Sequence, residues 1–406
     1  MWTDYNTGAA ASKKCGSFFI PCHNRLIYAI MKNAEKMKEG RTAMFELDRK
    51  LLQKNNAADR IRGSLIGGAC GDALGYAIEF TPEREIFAHY GAEGITSYEL
   101  DPRKGLALIS DDTQMTMFTA NGLVASVRDE SPDEPRAYVA KAYQDWLLTQ
   151  RKSYRQVMWM DPSEMYGNVT WLLRNPDMYH LRAPGNTCLS ALIGNEDSVV
   201  PDYIASPRNE SKGCGGVMRV APVALMPYGE PIEKIDMEGA EIAAITHGHS
   251  LGYMPAALLV HIIRRIVYPE QTMTLKEIVL EGCDTIHRLF RADAHVDRMV
   301  SIIQDAVRLS YSSVVTDIEA IHKLGAGWVG EEALAIAVFC ALKYENDFNR
   351  ALITSVNHGG DSDSTGAICG NILGAMVGLS GIGEEWKEHL ELSDEIMELA
   401  DEIINI

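Results

Sequence analysis

Two short strings in this 406-residue chain crowd carboxylates and hydroxyls together. Ser110-Asp111-Asp112-Thr113 precedes an apolar run over 114–127, and Asn357-His358-Gly359-Gly360-Asp361-Ser362-Asp363-Ser364-Thr365 precedes another. Part of this is ordinary helix chemistry, because Ser, Thr and Asp accept from the orphan N–H groups of a first turn and suit the positive end of the dipole. One Asp suffices for that. Two in a row, and two at i and i+2 after Gly-Gly, leave carboxylates that capping does not use. Asp111, Asp112, Asp361 and Asp363 offer only oxygen donors, and Ser110, Thr113 and Ser364 add neutral oxygens. Hard cations take that ligand set, Mg²⁺ first and Mn²⁺ second, whereas Zn²⁺ prefers His or Cys. Two such ions would balance four carboxylates that could not all stay ionised at close quarters. Ions about 3.5–4 Å apart can hold substrate oxygens and activate water.

Other residues could complete such a site. Glu79, just beyond Gly71-Asp72-Ala73-Leu74-Gly75, could serve as general acid/base or hold a water. Lys212-Gly213-Cys214-Gly215-Gly216-Val217-Met218-Arg219 is a glycine-dense turn whose backbone N–H groups suit an anion. Pro184-Gly185-Asn186-Thr187 opens a helix in similar fashion, and Trp328 could stack on a base. His247-Gly248-His249 lacks a nearby third ligand for zinc.

Helices must position all of these. Apolar residues recur with helical period over 134–149, 233–246, 250–268, 274–290, 296–310, 331–343, 347–356 and 384–404. The best alternating stretch, Gly94 to Leu100, is short. The expected fold is therefore all-α, with one domain over 59–406. Gly63, Gly67, Gly71 and Gly75 recur every four residues, as do Gly366, Gly370, Gly374 and Gly378. Each glycine costs a helix about 1 kcal/mol relative to Ala, so two such stripes predict two central helices in backbone contact. The twenty uncharged residues from Ser364 to Gly383 include six glycines and read as a buried helix rather than a membrane span.

The net charge is -18, which disfavours nucleic acid or an anionic membrane as main partner. Residues 1–58 depart from this trend: 10 Lys and Arg against 5 Asp and Glu make a basic arm of net +5, with a helical pattern from about Leu26 to Leu52. Eight cysteines without a C-x-x-C pair suit reduced thiols and a cytoplasmic location, and the N-terminus shows no signal peptide.

In chain order, the motifs resemble those of the ADP-ribosylglycohydrolase family, which includes the dinitrogenase reductase-activating glycohydrolases. The resemblance runs from about Arg60 to Gly381. It rests on Gly71–Gly75 with Glu79, Ser110–Met115, Gly185–Thr187, Gly213–Arg219, Thr246-His247 with Ser250–Gly252, Gly327–Ala335 and His358–Gly366. It implies an all-α domain with two Mg²⁺ or Mn²⁺ ions at the bottom of a cleft. Asp111, Asp112, Asp361 and Asp363 match the metal carboxylates, and Ser110 and Ser364 match positions that are often Thr. Glu79, Asp112 and Asp361 are the implied catalytic carboxylates. Asn186, Gly213, Gly215, Gly216 and Met218 fall in diphosphate- and ribose-facing segments, and His247 and Trp328 fall near the adenosine side. The implied reaction is hydrolysis of the N-glycosidic bond between ADP-ribose and a modified residue of a protein. The Asp-Ser-Asp-Ser-Thr form resembles the arginine-directed members. Extended N-termini occur in immunity proteins of this family, where the arm plugs the active site of an ADP-ribosyltransferase toxin. The charge of residues 1–58 permits that role, either beside hydrolysis or in place of it.

Overall fold

The computed structural model describes residues 56–129, 134–161, 169–194 and 202–406. The helical pattern over 26–52 lies outside the described residues, as does nearly all of the basic arm. Ten longer helices carry the architecture: α1 Ala57–Tyr76, α2 Asp111–Arg128, α3 Pro135–Arg151, α4 Ile232–Ala244, α5 Ser250–Val267, α6 Leu275–Leu289, α7 Val296–Ser310, α8 Gly330–Lys343, α9 Ser362–Val377 and α10 Ser393–Ile404. Among the described residues no strand forms, and β pairing is limited to two isolated bridges, Ala107 with Leu390 and Gly213 with Val329. The fold is all-α, as the periodicity predicts. The alternating Gly94–Leu100 stretch stays outside any strand.

The centre is the pair α1 and α9, in contact along both glycine stripes. A Cβ on Gly63 would stand 2.3 Å from the Gly374 carbonyl oxygen, one on Gly67 2.5 Å from that of Gly370, and one on Gly71 2.0 Å from that of Gly366. Gly75 meets the Ser362 carbonyl in the same way, at 2.3 Å. Rising numbers on α1 meet falling numbers on α9, so the helices run antiparallel, and the end of α1 lies beside the start of α9. A reciprocal bond pair fixes the register: Asn371 Nδ2 donates to the Ser64 carbonyl at 2.8 Å, and Ser64 Oγ donates to that of Asn371 at 3.0 Å. On the flank, α2 packs on α3, where a Cβ on Gly122 would lie 2.9 Å from Val139 Cα.

Ser250–Val267 is long and apolar enough to cross a membrane by length and composition, but 94% of it is buried inside the protein, so it is a core helix. Of the expected buried helix from Ser364 to Gly383, residues 364–375 are buried within α9; the helix ends at Val377, where Gly378 takes a φ of 72°, and Ser380 and Gly381 are exposed.

One expected helix is divided. The pattern over 384–404 forms Glu384–Lys387 and α10, with an extended link between them. His389 and Leu392 adopt left-handed φ values of 66° and 60°, which end helical propagation. The link runs beside Ala107, which donates to the His389 carbonyl at 2.7 Å and accepts from the Glu391 N–H at 3.0 Å.

The close approach yields a stability prediction. Gly71→Ala gains about 1 kcal/mol of helix propensity. Its methyl must still push the Gly366 carbonyl away, so the net outcome is destabilisation of about 1–3 kcal/mol in a urea titration.

Candidate metal centre and active site

Because α1 ends where α9 begins, Asp72 and Glu79 arrive beside Asp361 and Asp363. Asp72 is fully buried, and its oxygens are consumed. Ser110 N–H lies 3.0 Å from both of them, Thr113 N–H donates at 3.0 Å, and Thr113 Oγ1 donates as well. Asp72 thus pins the first turn of α2 onto α1. Ser110 is the N-cap of α2, its Oγ accepting from Asp112 N–H at 3.1 Å. The turn is fixed on its other side by the Asp111 N–H, which donates to the Arg182 carbonyl at 2.9 Å.

Asp361 caps α9, accepting from Ser364 N–H at 3.4 Å, and Asp363 accepts from the same N–H at 2.9 Å. One oxygen each from Glu79, Asp361 and Asp363 lies within 4.8 Å of the others. Asp111, Asp112, Asp361, Asp363, Ser110 and Ser364 are all buried. Burial first, and then the charge of Asp363, holds the carboxyls of Asp111, Asp112 and Asp361 well above the ordinary range. The same two causes push Asp72 up to about 7 and Glu79 up to about 10, with Asp361, Asp111 and Asp72 adding to the effect at Glu79. Asp363 itself is raised by burial. Among the described residues none of these six carboxylates belongs to an ion pair. Glu79 Oε2 and Asp112 Oδ2 are buried without any hydrogen-bond partner. An all-oxygen donor set with two orphaned oxygens and no balancing cation from the protein fits divalent metal ions.

The loops singled out in the sequence converge on this cluster. Gly185 N–H donates to Asp111 Oδ2 at 3.2 Å, which places exposed Asn186 next to α2's first turn. Cys214 Sγ lies 2.6 Å from Asp361 Oδ2, and Met218 Sδ lies 3.9 Å from Ser364 Oγ. Met218 therefore packs on the start of α9, while Gly213, Gly215 and Gly216 pass over His247. A Cβ on Gly215 would be 2.9 Å from His247 Cε1, and one on Gly213 would be 3.2 Å from Nε2. Burial and the Arg219 guanidinium lower His247 to about 3, so its ring is neutral; Nδ1 pairs with Thr246 Oγ1 at 2.8 Å. In this place His247 supports the glycine loop from below. Trp328 is 43% exposed and stacks on Phe80, 72% exposed, with centroids 6.1 Å apart. The aromatic pair stands at the rim, because Phe80 follows Glu79 and Gly327 packs against Asp361 Cβ.

Several functional residues escape sequence reasoning. Asp72 is legible in retrospect as a charge inside an otherwise apolar and small helix segment, Ala69-Cys70-Gly71-Asp72-Ala73-Leu74. Arg219, the basic end of the glycine loop, is fully buried, donating to Tyr143 Oη at 2.8 Å, Thr246 Oγ1 at 2.6 Å and the Gly215 carbonyl. Lys212 pairs with buried Glu331 at 3.4 Å. Both cations of the loop are thus engaged with the protein, as are the N–H groups of Gly213, which donates to Ser211 Oγ at 3.3 Å, and of Cys214, which donates to the Trp328 carbonyl at 3.3 Å.

Two predictions follow from the charges and bonds. In metal-free protein these carboxyls hold protons that the unfolded chain releases near its ordinary carboxylate pKa of about 4. Folding then takes up protons, so stability falls as pH rises toward about 7 for Asp72 and on toward about 10 for Glu79. Thermal melts in EDTA should show a lower Tm at pH 8 than at pH 5.5, and saturating Mg²⁺ should abolish most of the difference. Asp72→Asn replaces one acceptor by an amide donor that faces Ser110 and Thr113 N–H. It should weaken Mg²⁺ binding about 10–100-fold by calorimetry, as loss of a ligand-orienting partner does.

Comparison with known proteins agrees with this geometry. The ADP-ribosylglycohydrolase family model matches residues 53–406. The chain is 24% identical over 372 residues to ADP-ribosylhydrolase ARH3 of Mus musculus, covering 84% of this chain and 90% of that protein. It is 24% identical over 346 residues to the ADP-ribosyl-[dinitrogen reductase] glycohydrolase of Rhodospirillum rubrum, covering 83% and 92%. A solved structure titled an ADP-ribosylglycohydrolase-related protein complex shares the fold with a TM-score of 0.58 at 22% identity, covering 86% of this chain and 98% of that one. A family match over nearly the whole described body, on a helical fold that gathers the family's acidic strings, makes this chain a member of the ADP-ribosylglycohydrolase family.

Proposed function

We propose that this protein hydrolyses the N-glycosidic bond between ADP-ribose and an arginine side chain of a modified protein, using a pair of divalent cations. The observation that carries the reading is the buried carboxylate cluster without an ion-pair partner and with two orphaned oxygens, drawn from three separate chain segments. Asp111, Asp112, Asp361 and Asp363 would hold the metals, with Ser110 and Ser364 contributing hydroxyls. Mg²⁺ is the first choice and Mn²⁺ the second, since every carboxylate is a hard donor. Metal ions bound there supply Lewis acidity toward hydroxyl and water oxygens.

The protein's own groups account for the rest. Water forms a bond to C1″ of the distal ribose as the C1″–nitrogen bond breaks, and the bonding pair leaves with the guanidine, which is protonated. Glu79, with an oxygen free of partners and its carboxyl pushed up to about 10, is suited to hold and exchange the proton this requires. Asp72 keeps Ser110–Thr113 in place. The glycine turn at Gly213, Gly215 and Gly216 takes the diphosphate side of the substrate, and Asn186 the ribose side. The Phe80–Trp328 surface gives a planar group of the substrate something to stack on.

Residues 1–58 carry a second reading, resting on their charge of +5 beside a body of -23. A basic arm on an acidic enzyme suits docking to an acidic partner, and an ADP-ribosyltransferase toxin is the partner that the family resemblance supplies. Removing residues 1–55 should then abolish binding of the transferase without abolishing hydrolysis.

The direct test is ADP-ribose release from peptides carrying ADP-ribose on arginine or on serine, with Mg²⁺ and with EDTA. Release from the arginine conjugate that needs Mg²⁺ is expected, and Asp361→Asn or Asp112→Asn should lower kcat/KM by at least about 100-fold, in the range of lost transition-state stabilisation. Preference for the serine conjugate would overturn the arginine assignment. Trp328→Ala should raise KM by about tenfold with little change in kcat, the signature of binding made equally in ground and transition states. Inhibition by free ADP-ribose should weaken in parallel if the stacked group is the adenine.

A further inference from the structure

Away from the carboxylate cluster, residues 150–160 read Gln-Arg-Lys-Ser-Tyr-Arg-Gln-Val-Met-Trp-Met, three cations without an acid on a strongly acidic body. Ser153 starts a short helix, Tyr154–Met158, through a capping box with Gln156. Positions three and four apart share one side of such a turn, which gathers Arg155, Met158 and Trp159. All three are exposed, Trp159 to 81%, while Val157 on the other side is buried. Lys152 and Arg155 are exposed cations without an ion pair among the described residues, whereas Asp161, the next acid, has an interaction of its own. Tyr154 packs edge-on against Tyr179 with centroids 5.4 Å apart, which joins this turn to the segment ending in Leu181, 66% exposed. Scattered exposed apolar residues are ordinary; Trp, Met and Leu grouped with unpaired cations have the composition of an interface.

Three bonds moor this surface to the first turn of α2. Gln114 Oε1 accepts from Gln150 Nε2 at 3.1 Å, Gln114 Nε2 donates to the His180 carbonyl at 3.1 Å, and Asp111 N–H donates to the Arg182 carbonyl at 2.9 Å. The surface therefore adjoins the turn that carries Asp111 and Asp112. We propose that the surface of Lys152, Arg155, Met158, Trp159 and Leu181 docks the segment of an ADP-ribosylated protein that flanks its modified residue, and that this segment combines carboxylates with an apolar side chain. The identity of the partner rests on the hydrolase reading above. Met158, Trp159 and Leu181 cover the apolar side chain, and Lys152 and Arg155 meet the carboxylates. Most of a body of net -23 repels an acidic segment, so a local excess of cations selects where it lands. An anionic membrane is too broad to meet these cations without also meeting the acidic body. Because the ADP-ribose itself lies at the carboxylate cluster, the surface strengthens binding of a modified protein and adds nothing for a small conjugate.

The test uses the full chain and two fluorescein-labelled peptides without ADP-ribose, Glu-Asp-Leu-Arg-Leu-Asp-Glu and its counterpart with Lys at each acidic position. By fluorescence anisotropy the acidic peptide should bind at least about tenfold more tightly, and the difference should shrink in about 0.5 M NaCl, as screening of exposed charges requires. Trp159→Ala, and Lys152→Glu combined with Arg155→Glu, should each weaken the acidic peptide by at least about tenfold, the scale of an interface anchor. In hydrolysis, the same variants should raise KM at least about fivefold for the acidic peptide bearing ADP-ribose on its arginine. The kcat, and the KM of free ADP-ribosyl-arginine, should stay unchanged. Equal binding of the two peptides, or a shift for the free conjugate as large as for the peptide, would reject the inference. So would Trp159-dependent binding to phosphatidylserine vesicles, or Trp159-dependent self-association by light scattering, in place of peptide binding; these assign the surface to a membrane or to a second copy. Anisotropy needs no turnover. If neither conjugate is hydrolysed, the hydrolase reading fails while the peptides still decide the docking surface.

Discussion

Backbone contact between α1 and α9 is the constraint on which the rest of the molecule depends. A pair of ordinary helices is held about 8–10 Å apart by side chains at the contact. Here a Cβ on Gly63, Gly67, Gly71, Gly366, Gly370 or Gly374 would collide with a carbonyl of the other helix, so these six glycines require one another in pairs. The antiparallel arrangement brings the C-terminal turns of α1, carrying Asp72 and leading to Glu79, against the N-terminal turn of α9, carrying Asp361 and Asp363. Slippage by one turn would displace these groups by about 5.4 Å. Metal–oxygen bonds are about 2.0–2.6 Å, so such a slip would dismantle the cluster. The Ser64–Asn371 pair shows how the register is kept, because its two bonds can form together in one alignment only.

Given that alignment, charge becomes the main physical problem. Asp363 raises Asp72, Glu79, Asp111, Asp112 and Asp361 alike, which places it at the electrostatic centre. A structural acidic cluster would be balanced by Arg or Lys, as buried Glu391 is balanced by Arg182 at 2.6 Å and Lys104 at 2.8 Å. The cluster has no such partners among the described residues, so protons or divalent cations must compensate it. Its carboxylates differ in what they have left to offer. Asp72 has spent its oxygens on Ser110 and Thr113 and serves to position them. Glu79 and Asp112 each retain a buried oxygen with no partner, and such an oxygen is costly to keep unless something comes to it.

How much of this was legible in the sequence follows from whether the signal was local. The paired glycine stripes and the two Asp strings are patterns within single helices and their caps; the stripes predicted the central contact, whereas the meeting of the two strings followed only from the family resemblance. Asp72 was in plain view but masked by the glycine pattern around it, since helix periodicity reports a face and not a hydrogen-bond partner 38 residues away. Arg219, at the end of the glycine-dense turn, is turned inward to Tyr143 and Thr246, a burial that no local pattern displays. The division of 384–404 was hidden for a related reason. Its apolar period is intact, but contact with Ala107, a distant residue, draws the backbone out of the helix.

That contact explains why the support of the carboxylate cluster reaches as far along the chain as Glu391. Glu391 is 2% exposed and accepts from Arg182 at 2.6 and 2.9 Å, from Lys104 at 2.8 Å and from the Ile109 N–H at 3.3 Å. Ile109 immediately precedes Ser110, and the Arg182 carbonyl accepts from the Asp111 N–H, so one carboxylate braces both strands of chain that flank the first turn of α2. Arg219 does the same for the glycine loop, through bonds to the Gly215 carbonyl, Tyr143 and Thr246. Removing one partner of such a buried arrangement costs about 3–5 kcal/mol because the other is left charged and unpaired. The glycine contact sets where the helices lie, and these buried charges fix the loops that the helices cannot reach. A site assembled from segments between residues 72 and 391 therefore requires the body to fold as one unit before any of its oxygens can act together.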